Sequence, residues 1–272
     1  MKIAFATCVK LGLSCIEEIY KIGGKLDLMI TLKDEKAKNK SGRIYLDELS
    51  KRHQVQLLKI DTINDLEVIE ALRNNSIDWL FIIGWSQIAK KEVLETPSQG
   101  CIGMHPTLLP KGRGRASIPW AIIKGLSQTG VTMFKLDEGV DTGDIIGHVA
   151  IDLSNDITAT ELYQKVNQSH TTLIADYWDD IVEDTINLTK QNEDDATEWP
   201  GRKPEDGEIF SSMKMEEAHR LIRALTPPYP GAFYDDSKRI IRIWSAEFNE
   251  NDGEIPLSDG YMTPIVYDID NK

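Results

Sequence analysis

The sequence predicts an α/β protein: an open, mostly parallel, twisted sheet flanked by helices in a Rossmann-like arrangement, with a small β-rich C-terminal module. Three features point to it. Strand and helix patterns alternate as far as Gly84, as a parallel sheet with crossover helices requires. The run Ile77–Gly84, IDWLFIIG, is almost continuously apolar, the pattern of a strand covered on both faces. After the Pro- and Gly-punctuated loop Trp199–Gly207 the pattern changes to one helix, a turn-rich PPYPGAF and short apolar strands. The expected division is therefore a large domain over 1–200 and a β-rich, OB-like module over 201–272.

Each element has its own signal. Lys2–Thr7 reads as a buried strand. Ser14–Ile22 carries Ile16, Ile19 and Tyr20 at helical spacing, and Gly23-Gly24 ends it. Leu26–Thr31 is a second strand, followed by a Lys-rich loop from Lys33 to Gly42. Ile44–Arg52 reads as helix and Gln54–Ile60 as strand. Asn64–Asn74 is an amphipathic helix with Asn64 as its N-cap. Cys101–Met104, Gly130–Leu136 and Ile145–Ile151 are further strands. Thr158–Thr189 is a long helical segment with an apolar stripe running from Leu162 to Ile186. Gln191–Glu198 is acidic and expected in water; Met215–Leu225 is a helix. Short strands follow around Arg239–Trp244, Tyr261–Thr263 and Ile265–Ile269.

Composition narrows the function. No apolar run approaches the ~18 residues of a membrane span, and the start lacks the pattern of a secretory signal. Cys8, Cys15 and Cys101 are odd in number and lack zinc spacing, so reduced thiols and a cytoplasmic setting are expected. Five scattered histidines give no metal motif. The net charge of −13 disfavours a nucleic-acid partner, whose phosphates call for many cations. No membrane partner is expected, and a homodimer is compatible with the sequence. There is no G-x-G-x-x-G after the first strand and no P-loop, which disfavours dinucleotide and nucleotide-triphosphate binding at those positions.

One stretch, Gly100–Gly147, carries the chemistry. From Thr96 to Leu136 there is no acid, where average usage would place about seven. Lys111, Arg113 and Arg115 fall inside it, in the loop KGRGR. Arginines in such a loop can hold a phosphate or carboxylate bidentately, and the glycines between them allow close approach. His105 follows a strand and precedes Pro106, at the edge where open α/β sheets bind ligands. A histidine there can act as general acid and base, although a lone histidine is more often a satisfied core residue. Asp141 and Asp144 sit in GVDTGD, which alone reads as a turn. A carboxylate beside an imidazole would orient it and favour its charged form.

Taken together these residues resemble the family of formyltransferases that use 10-formyltetrahydrofolate. That family's motif is N-x-H-x-S-L-L-P-x-x-R-G, then D-x-G-x-D-T-G-D some thirty residues on. Here the first part is Gly103-Met104-His105-Pro106-Thr107-Leu108-Leu109-Pro110-Lys111-Gly112-Arg113-Gly114. The second is Asp137-Glu138-Gly139-Val140-Asp141-Thr142-Gly143-Asp144. Gly84-Trp85-Ser86-Gln87-Ile88, Arg202–Gly207 and Pro228–Phe233 extend the resemblance over most of the chain. It implies that His105 and Asp141 are catalytic. It implies a folate pocket lined by Gln87, Ile88, Glu138, Gly139, Val140 and Asp141. Thr107, Lys111 and Arg113 would then face the substrate. The third member of the family's triad, an Asn, is replaced by Gly103. That Asn is thought to help hold developing negative charge on the carbonyl oxygen, and losing one such donor costs roughly 2.7–4 kcal/mol.

The implied reaction moves a formyl group from 10-formyltetrahydrofolate to the amine of a small anionic substrate. The acidic composition and the basic loop together favour a nucleotide-linked amino sugar. A carrier- or tRNA-bound aminoacyl group stays open as an acceptor, as does a binding protein for folate or sugar nucleotide without catalysis.

Overall fold

The computed structural model describes residues 1–36 and 42–271; the centre of the Lys-rich loop lies outside them. The chain folds as two compact units. The first comprises residues 1–113, 130–150 and 166–198; the second comprises 114–129, 151–165 and 199–272.

The first unit is built on a sheet whose strands are β1 (Ile3–Ala6), β2 (Leu28–Leu32), β3 (Gln56–Ile60), β4 (Trp79–Ile82), β5 (Gly100–His105), β7 (Gln128–Lys135) and β8 (Ile145–Asp152), with the two-residue β6 (Arg113–Gly114) outside it. Their order is β3-β2-β1-β4-β5-β7-β8. The pairs from β3 to β5 are parallel, whereas β7 runs antiparallel to β5 with Thr132 opposite His105. The helices of this part are α1 (Lys10–Lys21), α2 (Asp47–His53), α3 (Leu66–Asn74), α4 (Lys91–Leu94) and most of α6 (Ala159–Glu183).

The run IDWLFIIG is the central strand that its composition predicts. All four residues of β4 are buried. Phe81 stacks on Phe5 at 5.5 Å and on Trp178 of α6 at 6.3 Å. On the opposite face, Leu80 and Ile82 join Ala4 and Ala6 of β1 and Val68 and Leu72 of α3. A fully buried side chain of this size contributes about 1.5–3 kcal/mol, so the two faces of β1 and β4 anchor the sheet.

The differences from expectation have local causes. Asn64 is not the cap of α3, because Asp65 takes that position and its carboxylate accepts the N–H groups of Asp61 and Thr62. Asn64 instead donates to the Ile88 carbonyl and accepts from the Lys90 N–H. α1 begins at Lys10, before the expected Ser14, because Leu11 and Gly12 are also buried. α6 is unbroken and stops at Glu183, where Asp184 turns left-handed at φ 58°. Its start is a reciprocal cap: Glu161 accepts from the Thr158 N–H and hydroxyl, and Thr158 Oγ1 accepts the Glu161 N–H.

The second unit holds α5 (Ser117–Ile123), α7 (Met215–Ala224) and a four-stranded antiparallel sheet. Its strands β10 (Ala232–Asp235), β11 (Arg239–Asn249), β12 (Ile255–Leu257) and β13 (Gly260–Asn271) lie in the order β10-β11-β13-β12. The expected β-rich module is thus a four-stranded antiparallel sheet with a helix packed on it. Ala218, Leu221 and Ile222 of α7 bury against Ile241, Ile243 and Met262. The two short strands expected at 261–263 and 265–269 are one, because Pro264 falls beside a register shift and does not interrupt β13. The last segment of this unit begins at Trp199. Residues 114–129 belong to it as well, rather than to the large domain expected over 1–200, because α5 packs on α7.

His170 on α6 is buried, and its Nδ1 lies 2.8 Å from the Val166 carbonyl, to which it donates. Burial pushes its imidazole down to about 4, and the neighbouring His105 pushes the same way. An unfolded histidine titrates near 6.5, so below that pH only the unfolded chain gains the proton. The stability is therefore present above pH ~6.5 and lost as pH falls toward ~4, on the order of 3 kcal/mol in all. Urea midpoints measured from pH 7 down to 4.5 should fall, and fall less steeply in His170→Leu.

Candidate active site

His105 ends β5, with its side chain almost wholly buried at 6% exposure. The two-residue period of a strand puts Cys101, Gly103 and His105 on one face of β5. The Nε2 atom lies 2.8 Å from the Gly112 carbonyl, and Nδ1 lies 3.4 Å from Asp141 Oδ2. A carbonyl oxygen only accepts, so Nε2 carries a hydrogen. An ionised carboxylate also only accepts, so the second contact is attractive when Nδ1 carries one too. The arrangement is thus complementary to an imidazolium, with Nδ1 as the position where a proton can be exchanged.

The loop that delivers Asp141 is held by its own side chains. Asp137 Oδ1 accepts from the Gly139 N–H at 3.1 Å and from Thr142 Oγ1 at 2.6 Å. Gly143 passes so close to the Lys135 carbonyl that a Cβ would sit 1.7 Å from its oxygen. Asp141 adopts φ 56°, in the left-handed region that Asp tolerates better than most residues. Gln191 Nε2 donates to the carbonyls of Asp141 and Gly143 at 2.9 and 2.8 Å.

The basic loop divides between solvent and structure. Lys111 is exposed. Arg113 is 4% exposed, and its guanidinium grips both oxygens of Glu193 at 2.8 and 2.7 Å. Its Nε and Nη2 also donate to Gln191 Oε1. Four of its five N–H donors therefore serve the chain itself, and Glu193 holds its pKa above the ordinary arginine value. The expectation that Arg113 holds a substrate anion thus meets a guanidinium already paired. The acidic stretch 191–198 is exposed for the most part, as expected, but it carries this pairing. Thr107 is buried beside His105, and its hydroxyl has no hydrogen-bond partner among the described residues. Its carbonyl accepts from Thr132 Oγ1 at 2.7 Å.

The residues expected to line a folate pocket occupy two loops. The Gln87 side chain is tied down: Oε1 accepts from the Ile63 N–H and Trp85 Nε1, and Nε2 donates to the Asp61 carbonyl. Ile88 is 68% exposed and Val140 50% exposed, both unusual for large apolar side chains. Glu138 pairs with Lys91 at 3.4 Å. A cleft of about 590 Å³ is lined by Lys91, Leu94, Lys135, Leu136, Glu138 and Gly139 among others. It includes two of the expected residues but not Gln87, Ile88, His105 or Asp141.

Gly103 is the position where the resemblance expects a carboxamide. A Cβ there would lie 2.6 Å from Leu136 Cδ2. Leu136 occupies the space that a side chain at 103 would need. This contact, the Gln191 donors and His170 carried no signal in the sequence: each depends on residues far apart in the chain. Among the described residues no cluster could hold a metal ion, and no helix is long and apolar enough to cross a membrane. Cys8, Cys15 and Cys101 are all buried.

Comparison with known proteins gives the family. The formyl transferase model matches residues 23–176, and the formyl transferase C-terminal domain model matches residues 202–265. A methionyl-tRNA formyltransferase of Agathobacter rectalis is 32% identical over 271 residues, 99% of this chain and 85% of the relative. An N-formyltransferase of Helicobacter canadensis, solved with folinic acid and dTDP-3-aminofucose, superposes with TM-score 0.71 at 21% identity, covering 92% of this chain and 89% of that one. A methionyl-tRNA formyltransferase of Clostridium thermocellum superposes with TM-score 0.65 at 21% identity over the whole of both chains. This chain belongs to the formyltransferase family, whose members are enzymes that transfer formyl groups from formyl-tetrahydrofolate.

Proposed function

We propose that this chain transfers a formyl group from 10-formyltetrahydrofolate to a primary amine, with His105 as the proton carrier and Asp141 as its counterion. The observation that carries the reading is the His105 ring held between the Gly112 carbonyl and the Asp141 carboxylate. Transfer removes one proton from the amine and delivers one to the donor nitrogen, so a single carrier serves both steps. Gly112 fixes which ring nitrogen is committed, and Asp141 stabilises the ring while it is charged.

The residues of the two loops fit a folate in chemistry. The exposed Ile88 and Val140 offer apolar surface, while Glu138 and Gly139 offer backbone groups for a pterin ring. Bound there, the folate supplies an activated formyl carbon. Thr107 offers a buried hydroxyl free to bond the acceptor, and Lys111 offers an exposed cation.

Two acceptors are favoured by different observations. Relatives similar over most of the chain are named as methionyl-tRNA formyltransferases, so the expectation of no nucleic-acid partner, drawn from net charge, is not supported. A nucleotide-linked amino sugar is the second reading. The Helicobacter canadensis protein, solved with such a compound, also shares this fold. Release of tetrahydrofolate in the presence of charged methionyl-tRNA, or of dTDP-, UDP- and CMP-linked amino sugars, decides between them.

His105→Ala and Asp141→Asn should each lower kcat by at least tenfold, a lost general acid–base being worth ~10²–10⁴, while both variants stay folded. Normal rates in both variants would place the chemistry elsewhere. Gly103→Asn should crowd Leu136 and destabilise the fold by about 1–3 kcal/mol. Pairing it with Leu136→Ala should recover part of that loss, read from urea midpoints; no recovery would mean that Leu136 is not what excludes a side chain there.

A further inference from the structure

We infer that Gln191 is a positioning residue for catalysis: residues 191–197 form a brace that sets the Asp141 carboxylate against His105. The inference rests on the proposed roles of His105 and Asp141. The two groups facing the His105 ring come from different loops, Gly112 from the basic loop and Asp141 from the loop after β7. β7 holds only the bases of those loops, through Thr132 to Thr107 and Leu109 and through Lys135 to Asp144. The segment 191–197 bonds to both.

On one side, Thr197 Oγ1 accepts the Gly112 N–H at 2.9 Å, the Thr197 carbonyl accepts the Arg113 N–H at 2.9 Å, and the Thr197 N–H donates to the Pro110 carbonyl at 3.2 Å. On the other side, Gln191 Nε2 donates to the Asp141 and Gly143 carbonyls. The Gln191 amide cannot flip without placing its oxygen against two carbonyls and its nitrogen against a guanidinium. Arg113 enforces that orientation, because both its Nε and its Nη2 reach Gln191 Oε1, and Glu193 fixes Arg113 in turn. The ring of contacts closes through His105. Asp141 holds a left-handed backbone, and its carbonyl is one of the two that Gln191 grips, so releasing the amide frees the residue that bears the counterion.

The effect expected is on turnover, because a displacement of about 1 Å at a catalytic contact can cost on the order of 10²-fold in rate. Gln191→Met keeps the length and removes every hydrogen bond; Gln191→Glu keeps the acceptor for Arg113 and removes the two donors to the loop. Both should lower kcat roughly tenfold or more while the KM for 10-formyltetrahydrofolate moves less than about twofold. In an Asp141→Asn background the further loss from Gln191→Met should shrink to about twofold or less, since residues acting through one another are not additive. Glu193→Gln, at a mostly exposed side chain, loosens the same brace from outside and should lower kcat severalfold even if Gln191→Met folds poorly. Full rates in Gln191→Glu, or equal losses with and without Asp141→Asn, would overturn the inference. His105→Ala in the same assay keeps the two readings apart. If it too retains its rate, the catalytic assignment falls; if it alone loses its rate, only the brace does.

Discussion

Everything at the candidate active site depends on a single constraint: both nitrogens of one imidazole face acceptors from the chain itself. Carbonyl and carboxylate oxygens offer no proton, so the pairing is satisfied in full only by a ring that carries two. That requirement brings the rest of the local structure with it. The loop after β7 leaves beside the start of β5, where Lys135 pairs with Ile102, and must fold back to bring Asp141 to His105. Gly143 must be bare so that the loop can fold against Lys135. His170, buried nearby, must stay neutral, and burial sees to that.

The charge distribution follows the same logic. The acid-free segment from Thr96 to Leu136 leaves no carboxylate on β5 or the basic loop to compete with Asp141 for His105. Its most buried cation, Arg113, is answered by an acid from outside the segment. An unpaired buried guanidinium would be costly, and a bidentate carboxylate is the partner whose geometry matches its fork. The acidic stretch after α6 is thus a counterpart of the basic loop, and the exposed Lys111 is left to meet solvent or ligand.

Much of this was legible in the sequence. The parallel sheet follows from IDWLFIIG and its alternation with helices, and the motifs single out His105 and Asp141, which the fold brings together. What escaped was pairwise and long-range. Arg113 reads as a ligand group because its loop is basic, and only the fold brings Glu193 to it. Asn64 reads as a cap because it precedes an acidic helical start, yet Asp65 sits one residue better placed and frees Asn64 to staple residues 88–90. Gly103 reads as a missing donor; the fold adds that Leu136 has taken its space. The four-stranded module was only half visible, since β10 and β12 are short and carry little periodicity.

The interleaving of the two units bears on how the chain is made. α5 packs on α7, which follows it by roughly ninety residues. Synthesis delivers domains from the N-terminus, so Ile123 of α5, which packs on the core around α7, waits for that helix to emerge. The first unit, too, lacks residues 166–198 until late, and with them the brace across the candidate site. Neither unit can close by itself early. A chain released before α7 would leave Ile123 without that core; one released before Gln191 would also leave the loops around His105 untied. The order of the residues alone thus makes folding of both units wait for segments that lie far along the chain.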